Sequence, residues 1–409
     1  MSLVRSGSTR STFLGFTLVE LLVSTAIITL LLVILVQITA QTSATWRYTT
    51  GKAEQFRGAR MAFETMTRKI AQATLNTYWD YDKPINYNSP VAPEGYVRQS
   101  ELRFISGSMQ SGSSANRLDD GSSIPRPTHG IFFQAPFGYT GDKASARYEG
   151  LDSLLNTWGY YLEVGDDLAF RPPHVVGPPI VRSRLMEMMQ PTSAMNIYKY
   201  TSGKPGMSVS DVLKMRNYGD PSATPRGAGT GREWFQMGLA GTAPKSQSDA
   251  QSLSHVLAEN IISLTVLPKL SEQDLAANRG TIKEEEKDIV LAPDYYYHSA
   301  ERGQFTHPPA GLLNSKHQLP PVLQITMVAI DEVSAKRLGI SNVNDDPFQV
   351  RAASFMTKAS DYKKDLLSEP GTTSSNSLES RLQLKNVNYR IFTTNIYLRG
   401  AKWSKEQTK

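Results

Sequence analysis

The sequence contains no cysteine. That absence excludes disulfides, thiolate nucleophiles, Cys-ligated zinc and iron–sulfur clusters, and it leaves the redox compartment open, since a chain without thiols is at ease in either. The motifs of common catalytic machinery are missing too: there is no GxSxG elbow, no HExxH helix and no GxxxxGK[ST] loop. SGKPG (202–206) and GAGTGR (227–232) are glycine-rich, but neither has the spacing that cradles a phosphate, and their Pro and Ser surroundings read as loops. No internal repeat occurs. The formal charge of +6 is scattered, with no Lys/Arg block interleaved with aromatics, which argues against a nucleic-acid partner.

What is present is ordinary for a folded body: 40% hydrophobic and 20% charged residues, with a mean hydropathy of −0.34 that excludes a multi-span membrane protein. The 409 residues suffice for an anchor plus one large or two ordinary domains. One segment departs from the average, and it stands at the start. Residues 1–15 carry Arg5 and Arg10, several Ser and Thr, and no acid; the apolar run then extends from Phe16 to about Ile38 with Glu20 as its only charge. At ~1.5 Å per residue such a helix spans a bilayer core. Basic residues before it and a large domain after it predict that the N-terminus stays inside and the body is translocated.

Three readings of this segment compete. A cleaved secretory signal has a shorter apolar core and a small-residue cleavage site; here the run is too long, and Gln37–Gln41 offers no such site. A plain signal anchor fits the length but leaves Glu20 unexplained. A carboxylate costs ~2.5–3.5 kcal/mol at the centre of an inserted helix, and less towards its end. The third reading accounts for it. Gly15-Phe16-Thr17-Leu18-Val19-Glu20 resembles the type IV prepilin motif. The resemblance implies cleavage between Gly15 and Phe16 by a prepilin peptidase, N-methylation of Phe16, and neutralisation by Glu20 of the Phe16 amino terminus of a neighbouring subunit at assembly.

Beyond the anchor the apolar positions run Phe56, Ala59, Phe63, Met66, Ile70, Ala73, in steps of three and four that share one helix face. Residues 39–76 therefore read as an amphipathic continuation of the helix, with Gly51 and Gly58 as weak helix formers and Gly51 a candidate kink. From Asn76 the text changes to short apolar stretches broken by Gly, Pro, Ser and Asn. Strands are predicted at Glu101–Ile105, Gly130–Gln134, Gly159–Val164, Met195–Tyr200, Asn260–Leu267, Pro321–Ile330 and Tyr389–Leu398. The alternation in the later ones predicts half-buried strands of a mostly antiparallel sheet. Short helices are predicted at Glu332–Leu338 and Leu378–Lys385. Residues 107–128 and 219–250 read as loops outside the core, and DYYYHS (294–299) as a partly exposed aromatic patch.

Later segments carry further likeness. LAENIISLTVLPKL, HQLPPVLQITMVAIDE and VNYRIFTTNIYLRG resemble minor pilins and the J-type minor pseudopilin of type II secretion. RSRLMEMMQP (182–191), LAPDYYYHS (291–299) and QLPPV are similar to the prepilin-type "Verru_Chthon cassette protein C" family. That narrower likeness implies no activity.

Candidate ligands are few. His298, His307 and His317 recur near Tyr295–Tyr297 but lack helical i,i+4 spacing and acidic partners at fixed offsets. For calcium, Asn342-Val343-Asn344-Asp345-Asp346 is the best segment, though it does not match an EF-hand, and turn residues are the favoured reading. The expectation is an α+β pilin-like protein without catalytic residues or a required cofactor: leader 1–15, membrane and assembly helix 16–38, helical continuation 39–76, and an extracytoplasmic β-rich domain 77–409. Its expected place is the inner membrane, single-pass, with the body periplasmic. Its expected partners are prepilin peptidase, other pilin or pseudopilin subunits and membrane lipid. Two other readings stay open: a membrane-anchored extracytoplasmic binding protein or enzyme, and a pilin for DNA uptake or adhesion that uses exposed Lys/Arg and Tyr295–Tyr297.

Overall fold

Side chains three and four residues apart share a helix face, and the stripe Ala59, Phe63, Met66, Ile70 and Ala73 is buried, with Phe56 packed beside it. All but Ala73 lie within α1 (Leu18–Ile70). The computed structural model describes residues 17–81, 95–110, 118, 124–140, 153–168, 171–172, 174, 176–192, 195, 234–235, 239, 253–277, 282, 287–300, 315–352, 354–368 and 376–401, the side chains of 44, 47–55 and 81 excepted. It divides into two compact units, Met1–Glu54 and Gln55–Lys409.

In the first unit, Leu18–Ser43 is a helical segment of 26 residues with mean hydropathy 2.8 and none of its most apolar window buried. Its hydroxyls bond to the helix's own carbonyls: Ser24 to Glu20 O at 2.6 Å, Thr25 to Leu22 O at 3.0 Å, Thr29 to Thr25 O at 2.8 Å, Thr39 to Leu35 O at 2.8 Å. Such back-bonding lets Ser and Thr enter an apolar medium with their polar atoms satisfied. The segment is long and apolar enough to cross a membrane.

The second unit is built from strands β1 (Tyr78–Tyr81), β2 (Tyr96–Gln99), β3 (Ile105–Ser108), β4 (His129–Pro136), β5 (Leu155–Gly165), β6 (Arg182–Gln190), β7 (Ser254–Glu259), β8 (Ile261–Lys269), β9 (Tyr297–His298), β10 (Val322–Ile330) and β11 (Tyr389–Tyr397). Short helices α2 (Glu272–Ala277), α3 (Glu332–Leu338), α4 (Tyr362–Leu366) and α5 (Leu378–Leu384) lie among them. Among the described residues the strands form a six-stranded sheet in the order β7-β6-β5-β4-β3-β9, a three-stranded sheet β11-β10-β8, and the pair β1-β2. Every pairing is antiparallel. The class is α+β.

Alternation along the strands divides the core. Ile131, Phe133, Trp158, Tyr160 and Leu185 turn to one face of the large sheet, where they meet the α1 stripe and Leu264, Val266, Leu323, Ile325 and Met327 of the small sheet. Phe132, Tyr161, Met186 and Met188 turn to the opposite face, covered by Met109, Leu118, Met195, Trp234, Phe235 and Leu239. The small sheet has a second cover of its own: Ile262, Val328 and Ile330 pack on Phe348, Val350, Phe355, Met356, Leu378 and Leu382.

Several expectations need correction. β8 and β10 are buried on both faces, not half-buried. Residues 107–128 and 219–250 do contribute core, through Met109 and Leu118 and through Trp234, Phe235 and Leu239, because the outer face of the large sheet needs an apolar cover. In place of a strand at Glu101–Ile105, β3 begins at Ile105 and runs to Ser108. In Met195–Tyr200 only Met195 lies within the described residues. β6 and β7, and the pair β1-β2, were not predicted. α3 matches its expected span because Asp331 caps it, accepting Ser334 N–H at 2.9 Å, and Gly339 closes it at φ 58°.

Gly159 faces Phe132 across the β4–β5 pair, and a Cβ there would stand 2.2 Å from Phe132 Cδ1. The ring fills the space a side chain would take. Gly159→Ala is expected to lower stability by about 1–3 kcal/mol, the usual cost of overpacking, with partial recovery when Phe132→Leu is added. Denaturation followed by circular dichroism reads the effect; an unchanged Gly159→Ala midpoint would count against this packing.

Candidate functional site

A helix leaves its first N–H groups unpaired, and a Thr-x-x-Glu start satisfies two of them reciprocally. Thr17 and Glu20 do this: Thr17 N–H and Oγ1 donate to Glu20 Oε2 at 2.9 and 3.0 Å, and Glu20 N–H donates to Thr17 Oγ1 at 3.3 Å. Glu20 Oε1 accepts nothing among the described residues, and the side chain is exposed. Gly15 and Phe16, predicted for cleavage and methylation, lie outside the described residues.

Among the described residues an elaborate polar cluster in the second unit centres on Glu187, a residue for which the sequence predicts no role. Glu187 lies mid-β6, on the face of the large sheet turned to α1, and its side chain is 5% exposed. Its Oε1 accepts from Lys69 Nζ at 2.8 Å, Trp158 Nε1 at 2.8 Å and Tyr160 OH at 2.5 Å, and its Oε2 from His255 Nε2 at 2.9 Å. Lys69 Nζ also stands 4.1 Å from the centre of the Trp158 ring, a cation–π contact. Burial pushes the Glu187 carboxyl up, but the hydrogen bonds from His255, Lys69, Tyr160 and Trp158 outweigh it and hold the group at about 2. Burial and the Glu187 charge together raise the Tyr160 phenol, which stays protonated and donating. The cluster is a saturated ionic joint between α1 and strands β5, β6 and β7. A lone acid inside the apolar run Leu185–Met189 was the available signal.

The predicted calcium segment is a network of turn bonds. Asp345 accepts Asn342 N–H at 3.3 Å, Asn342 Oδ1 accepts Asn344 N–H at 2.9 Å, and Asp346 accepts the N–H groups of Val350 and Arg351 at 3.1 and 2.7 Å. Among the described residues no three of His, Asp and Glu come together as a metal-holding group. Of the predicted histidine set, His307 lies outside the described residues, and His298 and His317 are buried.

The aromatic patch is corrected by burial. Tyr295 and Tyr297 are 0% and 3% exposed. Tyr295 packs on the buried His129 ring at 4.5 Å, and Tyr297 meets Phe104 edge-on and donates to Gln318 O at 2.9 Å. An adhesive or nucleic-acid surface cannot use these two rings. Tyr297 is buried on β9, and Tyr295 is buried from a left-handed backbone at φ 63° just before that strand, where sequence composition suggested a surface.

Two concavities flank the second unit's core. One, about 560 Å³ including space open to solvent, is lined in part by Arg182, Asn260, Asp346, Phe348 and Arg351. Arg182 binds both Glu332 oxygens and Asn260 Oδ1, and the bonds that Glu332 accepts from Arg182 and Asn260 outweigh burial and hold its carboxyl at about 2. The other, about 520 Å³ on the same measure, is lined in part by Tyr78, Trp79, Arg98 and His317. Compared with protein-family models, with curated proteins and with solved structures, the chain matches none.

The Glu187 joint gives a pH prediction. Its folded-state value lies below the ordinary 4.5, so its stabilisation is complete above that value and is lost as pH falls through about 2. Glu187→Gln leaves Lys69 without its counter-charge. It is expected to cost about 3 kcal/mol at neutral pH, the low end for a broken buried pair because Lys69 is 24% exposed. Urea denaturation across pH should show the gap between the two proteins narrowing below about pH 4.5; a constant gap would refute the assignment.

Proposed function

We propose that the chain is a minor pilin or pseudopilin, a structural subunit made as a prepilin and built into a type IV pilus or a type II secretion-like filament. In this reading prepilin peptidase cuts between Gly15 and Phe16, Phe16 is methylated, and the apolar helix holds the subunit in the inner membrane with its body on the periplasmic side until assembly. The observation that carries the reading is the uncovered apolar helix with one carboxylate in its first turn. Glu20 is spent only in part by its cap, since Oε1 accepts nothing among the described residues and is open to a cation. A neighbouring subunit's amino terminus is such a cation, and an apolar medium makes that pairing strong. The size of the body supports a minor place, at the tip or in initiation, because a repeating major subunit must pack against identical copies.

Mass spectrometry of the native N-terminus tests the class, the expected start being methylated Phe16. Gly15→Leu should leave an uncut precursor; a normal mature mass in that variant would defeat the processing claim. Glu20→Gln separates the two roles of the side chain, because glutamine also completes a capping box but carries no charge. The expected outcome is normal cleavage with loss of incorporation into sheared filaments. Wild-type incorporation of Glu20→Gln would leave capping as the residue's whole role.

A further inference from the structure

A buried polar side chain without a partner is rare in native proteins and calls for an explanation. His317 is such a group. It is 1% exposed, and neither ring nitrogen has a hydrogen-bond partner among the described residues. Its backbone holds the left-handed conformation at φ 57°, uncommon for a residue with a side chain. The bond from His317 N–H to Ser299 O, at 2.5 Å, fixes it there, and Ser299 is itself locked to Phe104 by bonds of 2.9 Å in both directions. The fold thus sets the imidazole firmly into the wall of the second concavity, whose lining includes Tyr78, Trp79 and Arg98.

Arg103, Lys316, His298 and Arg98 all bear on the ring electrostatically, and burial together with these neighbours holds it down to about 2, so the imidazole stays neutral. Arg103 is tied at its guanidinium to the carbonyls of Ser100 and Leu102. Glu101, the acid beside this region, accepts from Asn76 and Tyr78. Arg98 stands opposite Trp79 in the β1–β2 register, its guanidinium 5.5 Å from the centre of the indole ring, while Trp79 is 54% exposed. An accessible aromatic wall, an arginine laid on it and an unsatisfied imidazole behind them form a cationic recess with an apolar side.

We propose that this recess binds a small oxyanion, a carboxylate or a phosphate group, held between the Arg98 guanidinium and the His317 ring with Trp79 as its apolar wall. An oxyanion offers acceptors to the guanidinium, whose fork suits carboxylate and phosphate alike. It also gives the His317 N–H the partner it lacks among the described residues. The inference rests on this recess and is independent of the filament reading, which concerns the first unit and the anchor.

Isothermal titration of the full-length chain in detergent micelles, at constant ionic strength with chloride as the balancing anion, tests it with two probes. Saturable heat from inorganic phosphate or from acetate supports the site, and the probe that binds tighter identifies the group. Arg98→Gln should weaken binding at least about tenfold. His317→Asn, which tolerates the left-handed backbone, should do the same; if that variant misfolds, Arg98→Gln alone decides. No saturable heat from either anion, or unchanged affinity in a folded Arg98→Gln protein, would overturn the proposal.

Discussion

Lys69 and Glu187 meet at 2.8 Å where α1 packs on the large sheet, and the placing of that helix on the sheet depends on the contact. Apolar packing alone is a weak guide to how a helix is rotated on a sheet, since a stripe of Ala, Phe, Met and Ile can slide or turn at modest cost. A carboxylate held by four donors, one of them Lys69 of the helix, cannot. Moving α1 by one residue would carry Lys69 off the Trp158 ring and leave the Glu187 carboxylate buried without its ammonium. Buried pairs add little to net stability when set against apolar replacements, yet breaking one is costly. The joint therefore acts chiefly on specificity: it selects one register of the helix, and the stripe Phe63, Met66, Ile70 then supplies the apolar burial.

The three-stranded sheet follows from the same arrangement. Its inner face completes the core that α1 begins, so β8 and β10 present Leu264, Val266, Leu323 and Ile325 inward. That would leave Ile262, Val328 and Ile330 in water. The segment between Phe348 and Val387 covers them, held by caps and turns more than by long elements: Asp331 and Ser377 cap short helices, and Asp346 accepts two backbone N–H groups. His129 ties this cover to both sheets, since it lies on β4, accepts Val266 N–H at 3.2 Å and donates to Met356 O at 3.0 Å. Burial keeps that ring at about 4, neutral and able to act as donor and acceptor at once.

These features explain what could be read from the sequence. The α1 stripe was legible because period and burial coincide over several turns, and β4, β5, β8, β10 and β11 because β-branched and aromatic residues cluster there. β6 was not, since Leu185–Met189 is built from Leu, Met and Glu, residues that favour helices. The cover over the small sheet was illegible for a different reason. Phe348, Val350, Phe355 and Met356 follow no period, and only the tertiary surface they meet gives them a common face. The recess at His317 was half visible: the histidine was noted for a metal reading, but nothing local announces that β1 and β2 bring Trp79 and Arg98 to its side.

Two carboxylates in apolar settings now stand in contrast. Glu187 has both oxygens engaged by donors that the chain itself supplies. Glu20 is incomplete, since one oxygen caps the helix while the other meets nothing among the described residues, on a helix whose apolar surface is likewise uncovered. A fold that saturates its interior acid so thoroughly could have dispensed with the second, for Gln or Ser would serve the helix start without the cost of a charge. Retention of a charge there is physically economical only if a cation arrives from outside the chain. That asymmetry, in which the finished acid organises the body and the unfinished one faces outward from the anchor, is the physical basis for proposing assembly as the purpose of the N-terminal helix.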